Sequence, residues 1–465
     1  IMSQKYDVVC TNPPYMGRGG MNEILKSYLD LKYKNSNKDL STVFMECSLD
    51  YSKEYSFLSM INIPTWMFLS SYENLRKTII QNNTFINLLH LGRGIFGSDF
   101  GTVSFVVGKK YIRGYKGYYK RFFIEHVKVE SIEEKEKKFF GDIGVYFTQQ
   151  EQYNKIHGIP IAYWINDSFI RVFDTGFKLK KYATIFEGLK TRDNNRFLRL
   201  WHEVGDCEFR NWKPYSKGGE FRKWYGNNDY LIKWHDDGKE VKSFKKSSGG
   251  NFPHYFKETI TWSAVTSYKF SARFIKNSIF GGGGSGITNI EKIEINYVLG
   301  LLNTSIINEI LNIFGTTLNY EVGIIGAIPI LSIGKDNDVV VQIVQNNIDI
   351  SKTDWDSFET SWDFKNHPLL THKKEANAIE GAFNNWSAFA NQQFNQLKAN
   401  EEELNRIFIE IYGLQDELTP AVDDKDVTIT RIYDSKEDIP ESMKGNKYVL
   451  TREDVIKSFI SYAVG

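Results

Sequence analysis

Along the first third of the chain, apolar positions fall into short blocks separated by polar turns. Residues 6–10 form a brief apolar strand that stops at Thr11-Asn12 and two prolines. Residues 21–33 have the spacing of a helix or helical turn. Asp39 or Ser41 can cap a second helix, with Val43, Phe44, Cys47 and Tyr51 on one face. Residues 57–63 are a continuous apolar run closed by Pro64, the pattern of a buried strand. A helix over 72–82 and strands over 85–91 and 102–107 continue the alternation. The charge run 130–138 has the pattern of a solvated linker. Alternating strands and helices predict an α/β unit with a mostly parallel sheet.

Beyond residue 150 the periodicity becomes mixed, and aromatic residues interleave with basic ones. Residues 295–314 place Val298, Leu301, Leu302, Ile306, Ile310 and Ile313 on one helical face. In 374–414, Ile379, Phe383, Trp386, Ala390, Phe394, Leu397, Leu404, Phe408 and Ile411 recur as one stripe. That spacing predicts one long helix, or two joined end to end, closed by Gly413 and Pro420. A final helix begins at about residue 451. Three regions follow: 1–150, 151–345 and 346–465.

Composition narrows the picture only slightly. The 465 residues exceed one ordinary domain, and 41% hydrophobic content supports substantial cores. With 58 Lys+Arg against 57 Asp+Glu the net charge is +1, so a nucleic-acid partner would need local basic patches. Cys10, Cys47 and Cys207 lie far apart and suggest no zinc site; Cys10 is expected to pack. A reducing, cytoplasmic compartment is the expectation, with no signal peptide or membrane-length apolar run.

The candidate chemistry lies in Asn12-Pro13-Pro14-Tyr15. Proline cannot extend a sheet ladder and holds the residue before it extended, so the chain must leave the sheet here in a stiff turn. Such a turn offers the Asn12 amide oxygen and the Pro13 carbonyl as acceptors for one NH2 group. Tyr15 offers a ring face for a flat base. The pattern resembles motif IV, (N/D)PP(Y/F/W), of the amino-methyltransferases. That resemblance implies an exocyclic amine as acceptor and S-adenosylmethionine as donor. It also implies a second stacking aromatic at Phe96, with Phe100 and Phe105 as alternatives.

The segments GLKTRDNNRFLRLWHEV, YSKGGEFRKWYGNNDYLIKW, ITWSAVTSYKFSAR and LNYEVGIIGAIPI resemble the large adenine methyltransferases of BREX phage-defence systems. More distantly they resemble fused type IIG restriction–modification enzymes. The likeness covers nearly the whole chain. It implies a partial Rossmann-like methyltransferase sheet in 1–150, a mixed α+β target-recognition domain in 151–345, and a helical brace in 346–465. Double-stranded DNA, with its target adenine flipped out, is the implied partner, alongside other phage-defence proteins. Arg192, Arg196, Arg222 and Lys223 are the candidate DNA contacts. In such enzymes the main donor-binding motifs precede motif IV. Gly249-Gly250 and Gly281 to Gly284 do not follow a buried strand and open a helix, so they do not qualify as that site. The chain is therefore expected to be an inactive fragment cut at both ends. The alternatives are a different methyl acceptor, in protein or ribosomal RNA, and a non-catalytic DNA-binding or specificity subunit.

Overall fold

The proline-terminated strand is the first of six: β1 (Tyr6–Thr11), β2 (Ser52–Asn62), β3 (Thr84–Arg93), β4 (Gly101–Gly108), β5 (Lys116–Arg121) and β6 (Val145–Gln149). They make one sheet in the order β1-β2-β4-β3-β5-β6. This computed structural model describes residues 4–96, 100–123, 129–205, 208–244, 247–248, 250, 252–266, 268–314, 319–331, 337–376 and 378–464. Cys207 and Gly249 lie outside the described residues. The chain divides into two units, Ile1–Thr175 with Leu311–Thr317 and Gly176–Ile310 with Leu318–Gly465.

In the first unit, β1 pairs parallel with β2, and β3 with β5; the other three pairings are antiparallel. The expected mostly parallel sheet is therefore corrected. A parallel crossover needs about a dozen residues or more, and the link over 94–100 is too short for one. Consequently β4 folds back as a hairpin partner of β3 and reaches β2 on its other side. Helices α1 (Glu23–Lys32), α2 (Leu40–Tyr51) and α3 (Glu73–Asn82) fall where the spacing predicted them. Asn22 caps α1 by accepting from Leu25 N, and Asp39 caps α2 by accepting from Ser41 N. The supposed linker is instead α4 (Ile132–Phe140), opened by a reciprocal Ser131–Glu134 capping box.

The core of this unit packs around Trp66, whose ring lies 6.2 Å from Phe85 and 5.4 Å from Phe105. Phe105 is fully buried there, which excludes it as a base-stacking residue. Arg76 is buried and makes no salt bridge among the described residues. Its guanidinium donates to the carbonyls of Trp66, Leu69, Gly158 and Ile159, and burial lowers its pKa to about 10. Val9 of β1 packs on the core, whereas Val8 and Cys10 share the uncovered face and are exposed. The expectation that Cys10 packs is corrected accordingly.

The second unit holds two four-stranded sheets. One orders Ile279–Phe280, Trp212–Ser216, Tyr230–Lys233 and Leu198–Leu200; the other orders Ala272–Ile275, Thr259–Ser263, Gly284–Thr288 and Thr184–Phe186. The glycine run between them is explained by close approach. A Cβ on Gly281 would lie 2.4 Å from the Tyr215 hydroxyl, and one on Gly283 2.5 Å from the Lys217 carbonyl. The expected helix over 295–314 is two, Ile295–Leu302 and Ser305–Ile313. Between them the Asn303 side chain pairs with the Ala272 backbone at 2.9 and 3.0 Å, and Asn405 Oδ1 accepts from Ser305 N.

The long stripe is a single helix, Ile379–Tyr412, with Phe383, Trp386, Ala390, Phe394, Leu397, Leu404 and Phe408 buried. Ile379 at its start is half exposed. Gly413, at φ 64°, closes the helix in the left-handed conformation that glycine adopts without strain. Two interior ion pairs join this helical region to the sheets. Arg222 reaches Asp354 at 2.7 Å, and Lys223 pairs with Glu401, which also accepts from Trp224 Nε1 at 2.7 Å.

Two stability predictions follow from these contacts. Glu401→Ala strands a buried ammonium and should cost about 3–5 kcal/mol in urea unfolding, much of it recovered by adding Lys223→Met. A loss that Lys223→Met does not relieve would show that the pair is not what Glu401 supports. The second concerns His367, buried against Trp386 and Phe459, whose Nδ1 accepts from Leu369 N at 3.2 Å. Burial lowers its pKa to about 4, so the folded state holds it neutral while the unfolded chain protonates near 6.5. Its contribution is present above pH 6.5 and is lost as pH falls towards 4, by roughly 2 kcal/mol at pH 5. Wild type should therefore lose more stability than His367→Asn between pH 7 and 5 in paired denaturation curves.

Candidate active site

The β1–β2 ladder ends at Thr11 opposite Met60. Asn12 is the next residue, where the prolines carry the chain out of the sheet. Asn12 and Pro14 are exposed, Pro13 is buried and Tyr15 is half-buried. The Tyr15 hydroxyl donates to Asn12 Oδ1 at 2.7 Å, with the Ile61 carbonyl 3.3 Å away as a second acceptor. Burial raises the Tyr15 pKa, so the phenol remains a donor. One lone pair of the Asn12 oxygen is thus engaged. An incoming amine must share that oxygen or shift the hydroxyl to Ile61.

Two further aromatics complete the site. The Phe96 ring centroid lies 6.4 Å from that of Tyr15, and the Phe100 ring stands edge-on at 5.5 Å. Both side chains are substantially exposed. Two of the three rings considered for the second stack therefore gather at Tyr15.

The loop beyond Tyr15 is held by contacts that sequence spacing did not reveal. Arg18 N donates to Lys38 O at 2.9 Å, and Leu40 N donates to Met16 O at 3.0 Å. The Arg18 guanidinium grips both Asp30 oxygens at 2.7 and 2.6 Å, and Asn37 Nδ2 donates to Asp30 Oδ1 at 2.7 Å. The Arg18 bond holds Asp30 below the usual carboxylate range. An Arg and an Asp twelve residues apart carry no local signal; only the docking of α1 brings them together.

The four basic candidates in the second unit divide. Arg192 is exposed, at φ 59°. Arg196 is exposed and paired with Glu240 at 2.8 Å, its guanidinium over Phe197 and Phe244. Arg222 and Lys223 point inward, so the expectation that they contact DNA is corrected. Arg222 lies between the Trp355 and Tyr448 rings and pairs with Asp354, while Glu401 holds Lys223. Leaving these carboxylates for a phosphate would strand buried charge. The glycine run 281–284 also lacks an anion cradle: Gly281 N and Gly282 N already donate to Ser216 O and Leu189 O.

The chain is similar to known proteins. Residues 1–96 match the Eco57I restriction-modification methylase family. The whole chain aligns at 35% identity with the adenine-specific methyltransferase PglX of Lacticaseibacillus casei (strain Zhang), covering 39% of that protein. It aligns at 34% identity with the adenine-specific methyltransferase BrxX of Escherichia coli O9:H4 (strain HS), covering 38% of it. Among solved structures, the type IIL restriction-modification enzyme MmeI, in complex with DNA, superposes on 89% of this chain and 55% of its own with a TM-score of 0.55. At 12% identity that is a likeness of fold. The chain spans about two-fifths of the length of the curated relatives it matches. Along that entire span it is homologous to the adenine-specific methyltransferases PglX and BrxX.

Proposed function

We propose that this chain supplies the acceptor side of a site-specific DNA adenine-N6 methyltransferase acting in BREX-like phage defence. The observation that carries the proposal is the convergence of Asn12, Tyr15, Phe96 and Phe100 where β1 leaves its sheet. Asn12 Oδ1 and the Pro13 carbonyl accept from the amino group of a flipped adenine. The buried Pro13 and its neighbour Pro14 keep those acceptors fixed. Tyr15 and Phe96 stack on the base, an interaction worth about 1–3 kcal/mol per base in comparable sites. Two acceptors on one amine direct its lone pair out of conjugation towards an electrophile. Preorganisation and orientation supply most of the rate.

S-adenosylmethionine is the donor that the adenine-specific relatives imply. The glycine run 281–284 does not offer it a cradle, since the amides of Gly281, Gly282 and Gly284 donate within the protein. What this chain supplies acts on the acceptor, and the chain alone should turn over little. We assign residues 1–150 to part of a Rossmann-like catalytic domain, 151–345 to target recognition and 346–465 to a helical brace. Duplex DNA is the substrate, other phage-defence proteins are candidate partners, and the cytoplasm is the compartment. Among the described residues no helix is long and apolar enough to cross a membrane.

The decisive experiment is Asn12→Ala in the full-length protein, with N6-methyladenine read by sequencing on an unmodified duplex library. Methylation should fall by about 10²–10³, the scale of losing one preorganised polar group. Undiminished methylation would leave the loop a structural turn, and N6-methyladenine absent from wild-type reactions would point to another acceptor. Arg18→Ala should lower kcat several-fold with little change in unfolding, because an exposed ion pair contributes little stability. Arg18→Lys should not restore the rate, since an ammonium cannot span both Asp30 oxygens. Full rescue by lysine would show that charge alone matters.

A further inference from the structure

The second unit contains a hollow of about 450 Å³ that the proposed methyl transfer does not use. Glu220 and Phe221, then Val265, Thr266 and Tyr268, and then Lys447 with Tyr448 contribute to its wall, and Lys425 lies on its rim. Its first loop begins at Gly218 and Gly219, with φ 89° and 143°, conformations open to glycine. A Cβ on Gly218 would lie 2.4 Å from the Gly283 carbonyl. Just past that turn, Arg222, Lys223 and Trp224 anchor inward on Asp354 and Glu401. This anchoring holds Glu220 and Phe221 at the surface. The Tyr448 hydroxyl donates to Phe221 O and ties the third loop to the first. Tyr268 donates to Asp426, and its ring stands edge-on to Phe221 at 4.9 Å. The hollow is thus braced before any ligand arrives.

What it presents to solvent is distinctive. Val265 is 67% exposed on its loop, beside Thr266 and the exposed Tyr268. Lys425 and Lys447 are exposed on either side. Lys447 meets Glu220 at 2.6 Å with both side chains about two-thirds exposed, a weak and screened pair that a phosphate can replace. Asp426 is already engaged by Tyr268 and Lys269. Lys425 makes no salt bridge among the described residues, and the acids on either side of it, Asp424 and Asp426, are paired with Lys398 and Lys269. Apolar and hydroxyl groups flanked by lysines match base edges flanked by backbone phosphates: a branched aliphatic tip suits a thymine methyl, and a hydroxyl suits either donor or acceptor edges.

We propose that this three-loop hollow is a duplex-DNA contact surface. Lys425 and Lys447 take backbone phosphates, and Val265, Thr266 and Tyr268 face the base edges. The inference rests on the reading of the chain as part of a DNA-modifying enzyme. It gives the C-terminal stretch around residues 425–448 a direct part in recognition, beyond bracing.

The test is binding of the 465-residue chain to a randomised fluorescent duplex pool across a salt series. Lys425→Ala/Lys447→Ala should bind about tenfold more weakly near 0.1 M salt, and the slope of log affinity against log salt should fall by about 2. Val265→Ala/Thr266→Ala should keep the slope but enrich different sequences. A control pair on another surface, Lys373→Ala/Lys374→Ala, should bind as wild type. A lysine variant indistinguishable from that control, or a loop variant enriching the wild-type sequences, overturns the assignment. So does a wild-type chain that binds no duplex. Methylation by the full-length enzyme and its loss in Asn12→Ala are read separately, so the catalytic reading can stand when this one falls.

Discussion

Two consecutive prolines at the end of β1 impose the constraint on which the candidate site depends. Neither carries an N–H, so the parallel ladder with β2 cannot continue past Thr11. The chain must turn there, and Pro13 buries while Asn12 remains at the surface. A more flexible sequence could also turn, but it would leave the amide oxygen and the next carbonyl free to diverge. Rigidity alone does not fix the amide, however. That is the role of Tyr15, whose hydroxyl holds Asn12 Oδ1 at 2.7 Å. The contact orients the oxygen and also occupies one of its lone pairs. The site at rest is therefore partly satisfied by its own residue, with the Ile61 carbonyl nearby to take over the hydroxyl.

The support beneath that turn is polar and local. The backbone bonds from Arg18 to Lys38 and from Leu40 to Met16 fasten the loop to the start of α2, whose first turn Asp39 caps. The Arg18–Asp30 fork fastens the same loop to α1. Both helices are thereby coupled to the position of Asn12 although neither supplies a candidate reacting group. The aromatic wall comes from elsewhere, through Phe96 and Phe100 in the segment joining β3 to β4. β4 places that segment by returning antiparallel between β3 and β2.

Local patterns were readable in the sequence wherever one element's own residues decide its form. The capped helices α1 and α2, the buried strand β2 and the stripe of Ile379–Tyr412 all follow from spacing within a short window. So did the turn after Thr11, because prolines act on their immediate neighbours. What escaped was decided by partners distant in sequence. The strand directions depended on β4 inserting between β2 and β3. The break at Asn303 depended on the Ala272 backbone. One miss was avoidable: Ser131 and Glu134 form a capping box, and the charge run that looked like a linker carried that signal.

The cations of the second unit show why basic residues among aromatics are a poor guide to nucleic-acid contacts. Arg222 and Lys223 sit in a segment rich in glycine and aromatics, the composition of a binding loop. Yet Asp354 and Glu401, more than a hundred residues later, take them into the interior. Once a guanidinium lies between Trp355 and Tyr448, leaving would expose an unpaired carboxylate in a low-dielectric site, a cost that a screened phosphate contact does not offset. The two residues serve the loop by anchoring it. Fixed at its base, the glycine turn can present Glu220 and Phe221 without collapsing. A cation is free to meet a phosphate only when no buried acid elsewhere in the fold has drawn it inward, and that is a property of the assembled tertiary structure.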